Sequence, residues 1–494
     1  MNNSRPGGGD PNIVFILADD LGYGDVGCYN PESKVPTPNL DRLAAQGLSF
    51  TDAHAPATVC TPSRYSVLTG RMAFRTGFKG VFTGAGGPCL IEEGRLTLPG
   101  MLREKGYTTA CFGKWHVGLT FLDDEGNPIC ENGFEPVNRI DHSRAIPDAP
   151  IHRGFDRFFG TACCSGTDFL YAFIDGDRIP VPPTGVLDKA PLPKHPYAND
   201  NRVGMIAPDF DIQELDQLFL KKSVAFMEEH VEKNPGKPFF LYHPTNAVHL
   251  PSFASARCRG RTDAGPHGDF IFEFDQVVGE LMDTLERLGI ADNTLVMVSS
   301  DNGPEVTSVV HMRRDHDHDG ARPWRGMKRD NWEGGHRIPF ICRWPGHIAP
   351  GAKTGQTVCL CDVMATCAAL VGTELPEDAA EDGFDMLPVI LGERDEGEPV
   401  REHTLHQTII LALGIRKGPW KYLDHPSSGG NNYERAPLKQ YALPDTAPDA
   451  PGQLYNLDED PGETKNLFFE RPEIVEELRT QLHAYRDSGR SVKR

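Results

Sequence analysis

The sequence predicts an α/β protein in which a large mixed, mostly parallel sheet lies between layers of helices. Two observations predict this class. Short apolar, β-branched runs alternate with longer helical patterns, which is typical of a parallel sheet joined by crossover helices. Polar and charged residues also follow several of these runs directly, as they do where ligands bind beyond the carboxyl ends of parallel strands.

Four short apolar runs predict the strands of this sheet. Residues 12–17 form the first run, and 108–112, 239–243 and 294–300 form the others. Their length and their content of β-branched and aromatic residues indicate buried strands rather than helices.

Helices are predicted between these strands. The segments 40–46 and 101–105 are each followed by glycine, which commonly ends a helix. The longer segments 212–231 and 270–288 carry apolar residues at the 3.6-residue period of an amphipathic helix.

The rest of the chain predicts long loops and a second, smaller unit. The segment 120–210 is rich in Pro, Gly and Asp, which indicates long loops over the sheet. The acidic stretch 374–385 predicts a solvated linker, which divides the chain into an N-terminal catalytic domain, 11–375, and a C-terminal subdomain, 376–494. Within the subdomain, residues 411–416 and 420–423 predict antiparallel strands and 473–485 predict a terminal amphipathic helix.

Composition excludes several classes of protein. The 494 residues include 50 Lys and Arg against 70 Asp and Glu, so the net charge of −20 argues against binding to nucleic acid or to an anionic membrane. No apolar run reaches the length of about eighteen residues that a membrane span needs.

The polar residues 1–10 are unlike a signal peptide, so the sequence as given predicts a cytoplasmic protein, or a periplasmic or secreted one if a signal was removed. The twelve cysteines include no CxxC pair, which argues against a disulfide scaffold and fits a reducing compartment.

Polar side chains cluster after the predicted strands and indicate a metal site. Taken singly, each of them is more often a helix cap or turn residue. Three carboxylates at one edge would repel each other unless a divalent cation lies between them, and oxygen ligands suit Ca²⁺ or Mg²⁺ rather than zinc. The residues that follow strands are Asp19, Asp20, Lys114, His116, His249, Asp301 and Asn302.

Cys60 has the sharpest local context in the chain. It precedes Pro62, which suits the first turn of a helix, and Arg64, and the helix-like stretch ends at Gly70. Cys60 would therefore lie by the positive end of a helix, where an anion is stabilised. The competing interpretation is a small buried cysteine, which Pro62 and Arg64 at fixed offsets make less favoured.

One charged run and two cysteine pairs are less specific than these motifs. The run 311–319 alternates His, Arg and Asp and predicts either a solvated loop or a substrate-facing loop. If it faces the substrate, Trp324 and Arg325 are expected to line the mouth of the same substrate site. Two close cysteine pairs are interpreted as buried thiols rather than metal ligands. These pairs are Cys163 with Cys164 and Cys359 with Cys361.

Five motifs together resemble those of the type I sulfatase family, within the alkaline phosphatase superfamily. The first is Cys60-Thr61-Pro62-Ser63-Arg64 with Leu68-Thr69-Gly70, and the second runs from Gly106-Tyr107 to Gly113-Lys114-Trp115-His116. The others are Asp301-Asn302-Gly303, the stretch from Gly326-Met327-Lys328 to Glu333-Gly334-Gly335-His336-Arg337-Ile338-Pro339, and Leu454-Tyr455-Asn456-Leu457 with Asp460-Pro461 and Asn466-Leu467. The resemblance covers roughly residues 11 to 470. The first motif extends back to Thr58, a position where the family usually has a smaller residue or proline, and this is a small departure.

The resemblance implies a role for each matching residue. Cys60 would be oxidised to Cα-formylglycine by a formylglycine-generating enzyme, and Arg64 would brace it. Lys114 and His116 would act on the formylglycine side of the sulfate, and His249 and Lys328 on the side of the leaving alcohol. One divalent metal, usually Ca²⁺ with Mg²⁺ or Mn²⁺ as alternatives, would be held by Asp19, Asp20, Asp301, Asn302 and residue 60.

The activity that the resemblance implies is that of an arylsulfatase-like sulfuric ester hydrolase. The hydrate of formylglycine would attack sulfur, and a covalent sulfate–enzyme intermediate would then release sulfate. The substrate would be a small-molecule or carbohydrate sulfate ester. The alternative is a phosphonate monoester hydrolase or phosphodiesterase of the same superfamily, and a catalytically silent scaffold on this fold is the third hypothesis.

Overall fold

The computed structural model describes residues 10–493. The interpretation of the N-terminal segment as unlike a signal peptide falls largely on residues 1–9, which lie outside the described residues. The strands, in chain order, are β1 (Asn12–Ala18), β2 (Leu48–Phe50), β3 (Ala53–His54), β4 (Thr108–Lys114), β5 (Phe121–Leu122), β6 (Pro128–Ile129), β7 (Arg157–Thr161), β8 (Leu170–Tyr171), β9 (Ile174–Asp175), β10 (Gly185–Val186), β11 (Met205–Ile206), β12 (Phe239–Pro244), β13 (Thr294–Ser300), β14 (Phe340–Arg343), β15 (Ala352–Thr354), β16 (Val358–Cys359), β17 (Thr404–Gln407), β18 (Leu413–Lys417), β19 (Trp420–Leu423) and β20 (Gln453–Asn456).

The α-helices agree with the sequence-based expectations to within a turn or two wherever a helix was predicted. They are α1 (Pro38–Ala45), α2 (Cys60–Thr69), α3 (Leu98–Glu104), α4 (Phe134–Val137), α5 (Leu215–Lys233), α6 (Gly265–Arg287), α7 (Val306–His316), α8 (Glu333–His336), α9 (Asp362–Leu370), α10 (Leu387–Ile390) and α11 (Pro472–Asp487). Among the described residues, no helix combines the length and the apolar character that crossing a membrane requires.

A nine-stranded mixed sheet forms the centre of the protein, in the order β15-β2-β14-β13-β1-β12-β4-β7-β9. Its five adjacent central strands, from β13 to β7, are parallel, and β1 pairs with both β12 and β13. Helices α1, α5 and α6 pack together as one group, and α2, α3 and α9 pack as another, with α3 and α5 both against β4. The predicted α/β class is confirmed, and the residues of β1 are fully buried because neighbouring strands and helices cover them.

A second, four-stranded antiparallel sheet lies near the C-terminus. Its order is β17-β18-β19-β20, and α11 packs against β18 and β19. The apolar face of α11 contributes Val475, Leu478 and Leu482 to a core shared with Ile415 and Tyr422. The prediction of a small antiparallel sheet with a terminal helix is confirmed.

Two sequence-based interpretations are wrong. The run 311–319 was predicted as a loop, but residues up to His316 belong to α7, and His318 is buried against Asp25 at 2.7 Å. The acidic stretch 374–385 is not a solvated linker throughout, because Asp382 is fully buried and pairs with Arg75 at 2.6 Å. In both cases a distant partner, invisible in the local sequence, neutralises the charge.

Candidate active site

A cavity of about 440 Å³ opens at the carboxyl edge of the central parallel strands. The predicted residues Cys60, His116, His249 and Lys328 all line it. These four side chains come from separate parts of the chain. His116 and His249 follow the parallel strands β4 and β12, whereas Cys60 begins α2 and Lys328 lies in the segment between α7 and α8.

The ends of β1 and β13 bring the acidic residues together. Asp19 and Asp20 follow β1 and are buried, as are Asp301 and Asn302 after β13. The backbone N–H of Asp20 donates to Asp301 Oδ1 at 3.2 Å, and Asn302 Nδ2 donates to Asp20 Oδ1 at 2.7 Å. Asp20 has a left-handed backbone with φ of 65°, a conformation that Asp tolerates better than most residues and that often marks functional sites.

The donor set fits a hard divalent cation. Burial and repulsion by the neighbouring Asp19 raise the pKa of Asp301 to about 7, and a cation placed between these carboxylates would relieve that repulsion. Among the described residues, Asn302 Oδ1 is buried without a hydrogen-bond partner, as an oxygen that ligates a metal would be. Ligand atoms of Asp19, Asp20, Cys60 and His249 lie within 4.8 Å of one another. The carboxylate oxygens of Asp19, Asp20 and Asp301 and the amide oxygen of Asn302 are ligands of the kind that Ca²⁺ and Mg²⁺ prefer.

Cys60 lies at the first residue of α2, beside the acidic cluster. Its thiol donates to Asp19 Oδ1 at 3.2 Å and lies 3.9 Å from Asp20 Oδ1. Burial and the nearby carboxylates hold the pKa of Cys60 well above its ordinary value, so the unmodified thiol is a poor nucleophile here. Residue 60 is therefore placed for chemistry that a thiol is badly suited to perform.

Arg64 lies one turn further along α2 and is fully buried. Its Nε donates to Asp301 Oδ2 at 2.9 Å, and its Nη1 donates to the backbone oxygen of Lys114 at 2.9 Å. Arg64 therefore links α2 to the ends of β13 and β4, and it supplies a fixed positive charge beneath residue 60.

Lys114 and His116 lie at and just beyond the end of β4. Lys114 Nζ forms an ion pair with Asp19, and although burial opposes its charge, Asp19 holds the pKa of Lys114 well above its ordinary value. His116 has a left-handed φ of 58° and donates from Nε2 to the backbone oxygen of Phe82 at 2.9 Å. Burial lowers the pKa of His116, which favours a neutral imidazole that can accept a proton.

His249 and Lys328 lie on the other side of Asp20. Lys328 Nζ donates to Asp20 Oδ2 at 2.7 Å, and His249 Nε2 lies 3.8 Å from the same oxygen. His249 Nδ1 donates to the backbone oxygen of Leu250 at 2.5 Å, which leaves Nε2 facing the acidic cluster. Burial opposes the charge of His249, but Cys164 and Asp20 raise its pKa to about 9, so His249 carries a proton at neutral pH.

Several residues of the cavity were not predicted as functional. Cys164 was interpreted only as a buried thiol; it is buried, yet its Sγ lies 3.0 Å from Lys114 Nζ and 3.6 Å from His116 Nδ1. Glu305 pairs with Lys328 at 3.4 Å and with Arg329 at 2.7 Å. Cys164 follows β7, so recognition of 157–161 as a fifth parallel strand would have found it.

Trp324 and Arg325 do not lie at the mouth of this cavity. They line a separate cavity of about 460 Å³ near the C-terminal sheet, where Arg337 stacks over Trp324 and Arg325 stacks over Trp332. Cys359 and Cys361 are buried free thiols, as the sequence predicted.

Comparison with known proteins decides the family. The sequence profile of the sulfatase family matches residues 11–373, which is most of the chain. The chain belongs to the sulfatase family. This family lies within the alkaline phosphatase superfamily, and the activity of its members makes this chain a sulfuric ester hydrolase. The alternative of a phosphonate or phosphodiester hydrolase is not favoured.

Relatives match this sulfatase over nearly its whole length. It is 34% identical to an N-acetylgalactosamine-6-O-sulfatase of Bacteroides thetaiotaomicron, with 96% of this chain and 93% of the relative covered. It is 35% identical to arylsulfatase A of Bos taurus, with 94% and 85% covered. A solved structure from work on glycosaminoglycan metabolism by Bacteroides thetaiotaomicron superimposes with a TM-score of 0.80 at 30% identity, covering 97% of this chain and 99% of that one. Family membership implies a divalent metal and a formylglycine.

Proposed function

We propose that this sulfatase cleaves sulfate monoesters with Cys60, converted to formylglycine, as the nucleophile. The observation that carries the proposal is the position of Cys60 at the start of α2, 3.2 Å from Asp19 and above the buried Arg64. An aldehyde hydrate at this position has two hydroxyl groups on one carbon, so one hydroxyl can attack sulfur and the other can release the sulfate by re-forming the aldehyde, which a thiol cannot do. A formylglycine-generating enzyme is the partner that this maturation requires.

The metal ligands in this proposal are Asp19, Asp20, Asp301, Asn302 and residue 60. We assign Ca²⁺, because the donor set is all oxygen once Cys60 is converted, and Mg²⁺ or Mn²⁺ are the alternatives. When bound, the cation supplies positive charge beside the nucleophile and the sulfuryl oxygens. Lys114 and Arg64 add fixed positive charge that stabilises the transition state.

Departure of the alcohol depends on His249 and Lys328. One hydroxyl of the hydrate passes its proton to Asp19, which accepts from residue 60 at 3.2 Å, and attacks sulfur. The S–O bond to the alcohol breaks, and the proton on His249 Nε2 passes to the leaving oxygen. The pKa of about 9 keeps this proton in place at neutral pH. Lys328, held by Asp20 at 2.7 Å, neutralises charge on the same side.

Release of sulfate depends on His116. The second hydroxyl of residue 60 loses its proton to the neutral imidazole, the C–O bond to the sulfate breaks, and the aldehyde re-forms. The lowered pKa of His116 suits this role as a base. His249 therefore donates a proton in the first step, and His116 accepts a proton in the second.

The domain organisation remains part of the proposal. We assign residues 11–375 to the catalytic domain and 376–494 to the C-terminal subdomain. The antiparallel sheet from β17 to β20 supports this division, and Asp382, beyond the boundary, accepts from the backbone N–H of Met72 at 2.7 Å and so links the two parts.

Peptide mass spectrometry over residues 54–71 tests the proposal, with turnover of 4-nitrophenyl sulfate measured on the same sample. We expect the mass of formylglycine at position 60 and loss of activity by about 10⁴-fold or more in Cys60→Ala. Cys111→Ala is a matched control, because Cys111 is equally buried in β4 but lies outside the cavity. Sustained turnover by Cys60→Ala, or no turnover by fully converted protein, would contradict the proposal.

A further inference from the structure

One wall of the catalytic cavity is built from two loop segments that the proposed reaction does not use. Thr167 and Asp168 come from the loop after β7, and Asn199–Arg202 precede β11. The backbone oxygen of Gly166 joins the two segments, since it accepts from Arg202 N at 3.0 Å and from Asn201 Nδ2 at 2.9 Å. Tyr171 Oη donates to the backbone oxygen of Arg202 at 2.6 Å and fixes the same corner.

This wall is attached to the loop that carries His249. Gly166 has φ of 120°, and a side chain there would meet Pro251 Cδ at 2.5 Å. The close approach places the wall directly beside the loop 249–251. Groups on the wall therefore face the side of the cavity from which the alcohol departs.

Two acceptors on this wall are buried and unused. Among residues 10–493, no hydrogen-bond partner reaches Asp168 Oδ1 or Asn201 Oδ1. Asp168 is 2% exposed and Asn201 is 4% exposed. An unpaired buried polar atom costs about 1–3 kcal/mol, so native proteins seldom retain one without a use. Both residues line the catalytic cavity, so these two acceptors are available to a ligand bound there.

The chemistry of the wall defines the ligand. Asn201 Oδ1 can only accept, so its partner must be a donor. Burial, followed by the neighbouring Cys164, raises the pKa of Asp168 well above its ordinary value. A hydroxyl group satisfies Asp168 in either protonation state, because a hydroxyl both donates and accepts. A sugar ring presents several hydroxyls close together, whereas a simple aryl sulfate presents none.

We propose that Asp168 and Asn201 bind hydroxyl groups of the sugar ring that carries the sulfate, and that they select carbohydrate sulfates over aryl sulfates. The inference rests on the proposed function, since it assigns the substrate class of that same cavity. The cavity volume of about 440 Å³ accommodates a sugar ring, in the size range usual for small-ligand sites. His249 lies beside this wall, which suits a sugar alcohol because such a leaving group needs a proton.

The test compares two substrates, N-acetylgalactosamine 6-sulfate and 4-nitrophenyl sulfate. We expect Asp168→Ala to lower kcat/KM for the sugar sulfate, relative to that for the aryl sulfate, by about 10- to 100-fold. Asn201→Ala should lower the same ratio to a smaller extent. Asp209→Ala, an exposed aspartate outside the cavity, is the matched control.

Folding and binding are measured separately from turnover. The thermal midpoint of Asp168→Ala should not fall, because the substitution strands no hydrogen-bond partner. Calorimetry on the Cys60→Ala protein should show binding of the sugar sulfate that weakens when Asp168→Ala is added. Deoxy analogues that lack the contacted hydroxyl should bind both proteins equally.

The outcomes separate the two proposals. If wild type cleaves 4-nitrophenyl sulfate but the variants change both substrates equally, the sugar-binding role is overturned and the sulfatase mechanism stands. If fully converted wild type cleaves neither substrate, the proposed mechanism fails. In that case the calorimetric result alone decides the role of Asp168 and Asn201, and equal binding with and without Asp168→Ala overturns it.

Discussion

Two buried clusters of charged residues differ in their access to the catalytic cavity. The catalytic edge comprises Asp19, Asp20, Lys114, Asp301, Asn302 and Lys328. The junction cluster lies where the main sheet meets the C-terminal sheet and comprises Asp52, His54, Glu333, His336, Arg337, His406, Arg416, Lys421 and Glu463. Both are almost entirely withdrawn from solvent, where an unpaired charge is costly.

The junction cluster balances its charges from within the chain. Glu333 pairs with Arg337 at 2.5 Å and with Lys421 at 3.0 Å, and Lys421 also pairs with Glu463 at 2.9 Å. Asp52 pairs with Arg337 and with Arg416 at 2.6 Å. Each carboxylate therefore has at least one cation of the protein beside it.

At the catalytic edge each carboxylate also has a cation beside it, namely Lys114 for Asp19, Lys328 for Asp20 and Arg64 for Asp301. The pKa of Asp301 is raised to about 7 by burial and Asp19, and Asn302 Oδ1 has no partner among the described residues. Asp20 and His116 also have left-handed backbones there. The ion pairs of the junction cluster therefore serve the fold, whereas the catalytic edge borders a cavity through Lys328 and His116, where a cation and a substrate can reach its groups.

The largest effect is expected from removing one metal ligand of the catalytic edge. Asp301→Ala should lose the bound metal and nearly all sulfatase activity together, because it removes a ligand and the partner of Arg64. Elemental analysis of the purified variant and turnover of 4-nitrophenyl sulfate measure the two losses. Added Ca²⁺ should raise the thermal midpoint of metal-free wild type but not that of the variant.

Asp275→Ala provides the control for this prediction. Asp275 is a buried carboxylate that accepts from Asn39 and Leu40, far from the cavity, so its loss should destabilise the protein without removing the metal. Stoichiometric metal in Asp301→Ala would show that the metal lies elsewhere.

The next effect distinguishes the two histidines of the catalytic edge. His249→Ala should be mild on activated aryl sulfates and should cost about 10² to 10⁴ in rate on esters of poor leaving groups, which need a proton. His116→Ala should instead slow sulfate release with little dependence on the leaving group, so sulfated enzyme should accumulate. Rates across a series of leaving-group pKa values, with intact mass spectrometry, measure both.

Equal leaving-group slopes for the two variants, with no accumulated intermediate in either, would contradict this division of roles. The wild-type series measured in parallel is the reference for both slopes. The result would leave the identity of the enzyme as a sulfatase unaffected.

The acidic residues of the catalytic edge could be predicted from sequence because each directly follows a strand that the sequence also predicts. Asp19 follows β1 directly and Asp301 follows β13 directly, so recognising the strands places the residues at one edge. Asp168 could not be predicted in this way, because β7 and β8 are short and lie in a segment interpreted as loops.

The junction cluster could not be predicted, because its partners are far apart in the chain. Asp52 meets Arg416 across more than three hundred residues, and neither has a distinctive local pattern. The same physics explains the error over 374–385, where Asp382 is paired by the distant Arg75. Sequence patterns therefore identified groups that await a ligand better than groups that neutralise one another.

A third prediction breaks the junction cluster instead. Lys421→Met should lower the free energy of unfolding by about 3–5 kcal/mol, because Glu333 and Glu463 lose a buried cation. Lys417→Met is the matched control: Lys417 is only partly buried in β18 and pairs with the exposed Glu477, so its loss should cost about 1 kcal/mol or less. Urea unfolding of both variants measures the difference, and equal losses would show that the junction cluster is not stabilising.

The smallest expected effect concerns the histidines of the junction cluster. Burial lowers the pKa of His54 to about 4, and burial together with His54 and Lys421 holds the pKa of His406 well below its ordinary value. These imidazoles are therefore neutral in the folded protein, whereas in the unfolded chain they bind protons below pH 6.5, so stability must fall as pH drops from 6.5 towards 4. Each such histidine contributes about 2 kcal/mol to the loss between pH 7 and pH 5. His406→Gln should reduce the wild-type difference in unfolding free energy between these pH values by about that amount, while the exposed His347→Gln should leave it unchanged. If both variants keep the full wild-type difference, His406 is not held neutral, and the balance of the junction cluster must come from its ion pairs alone.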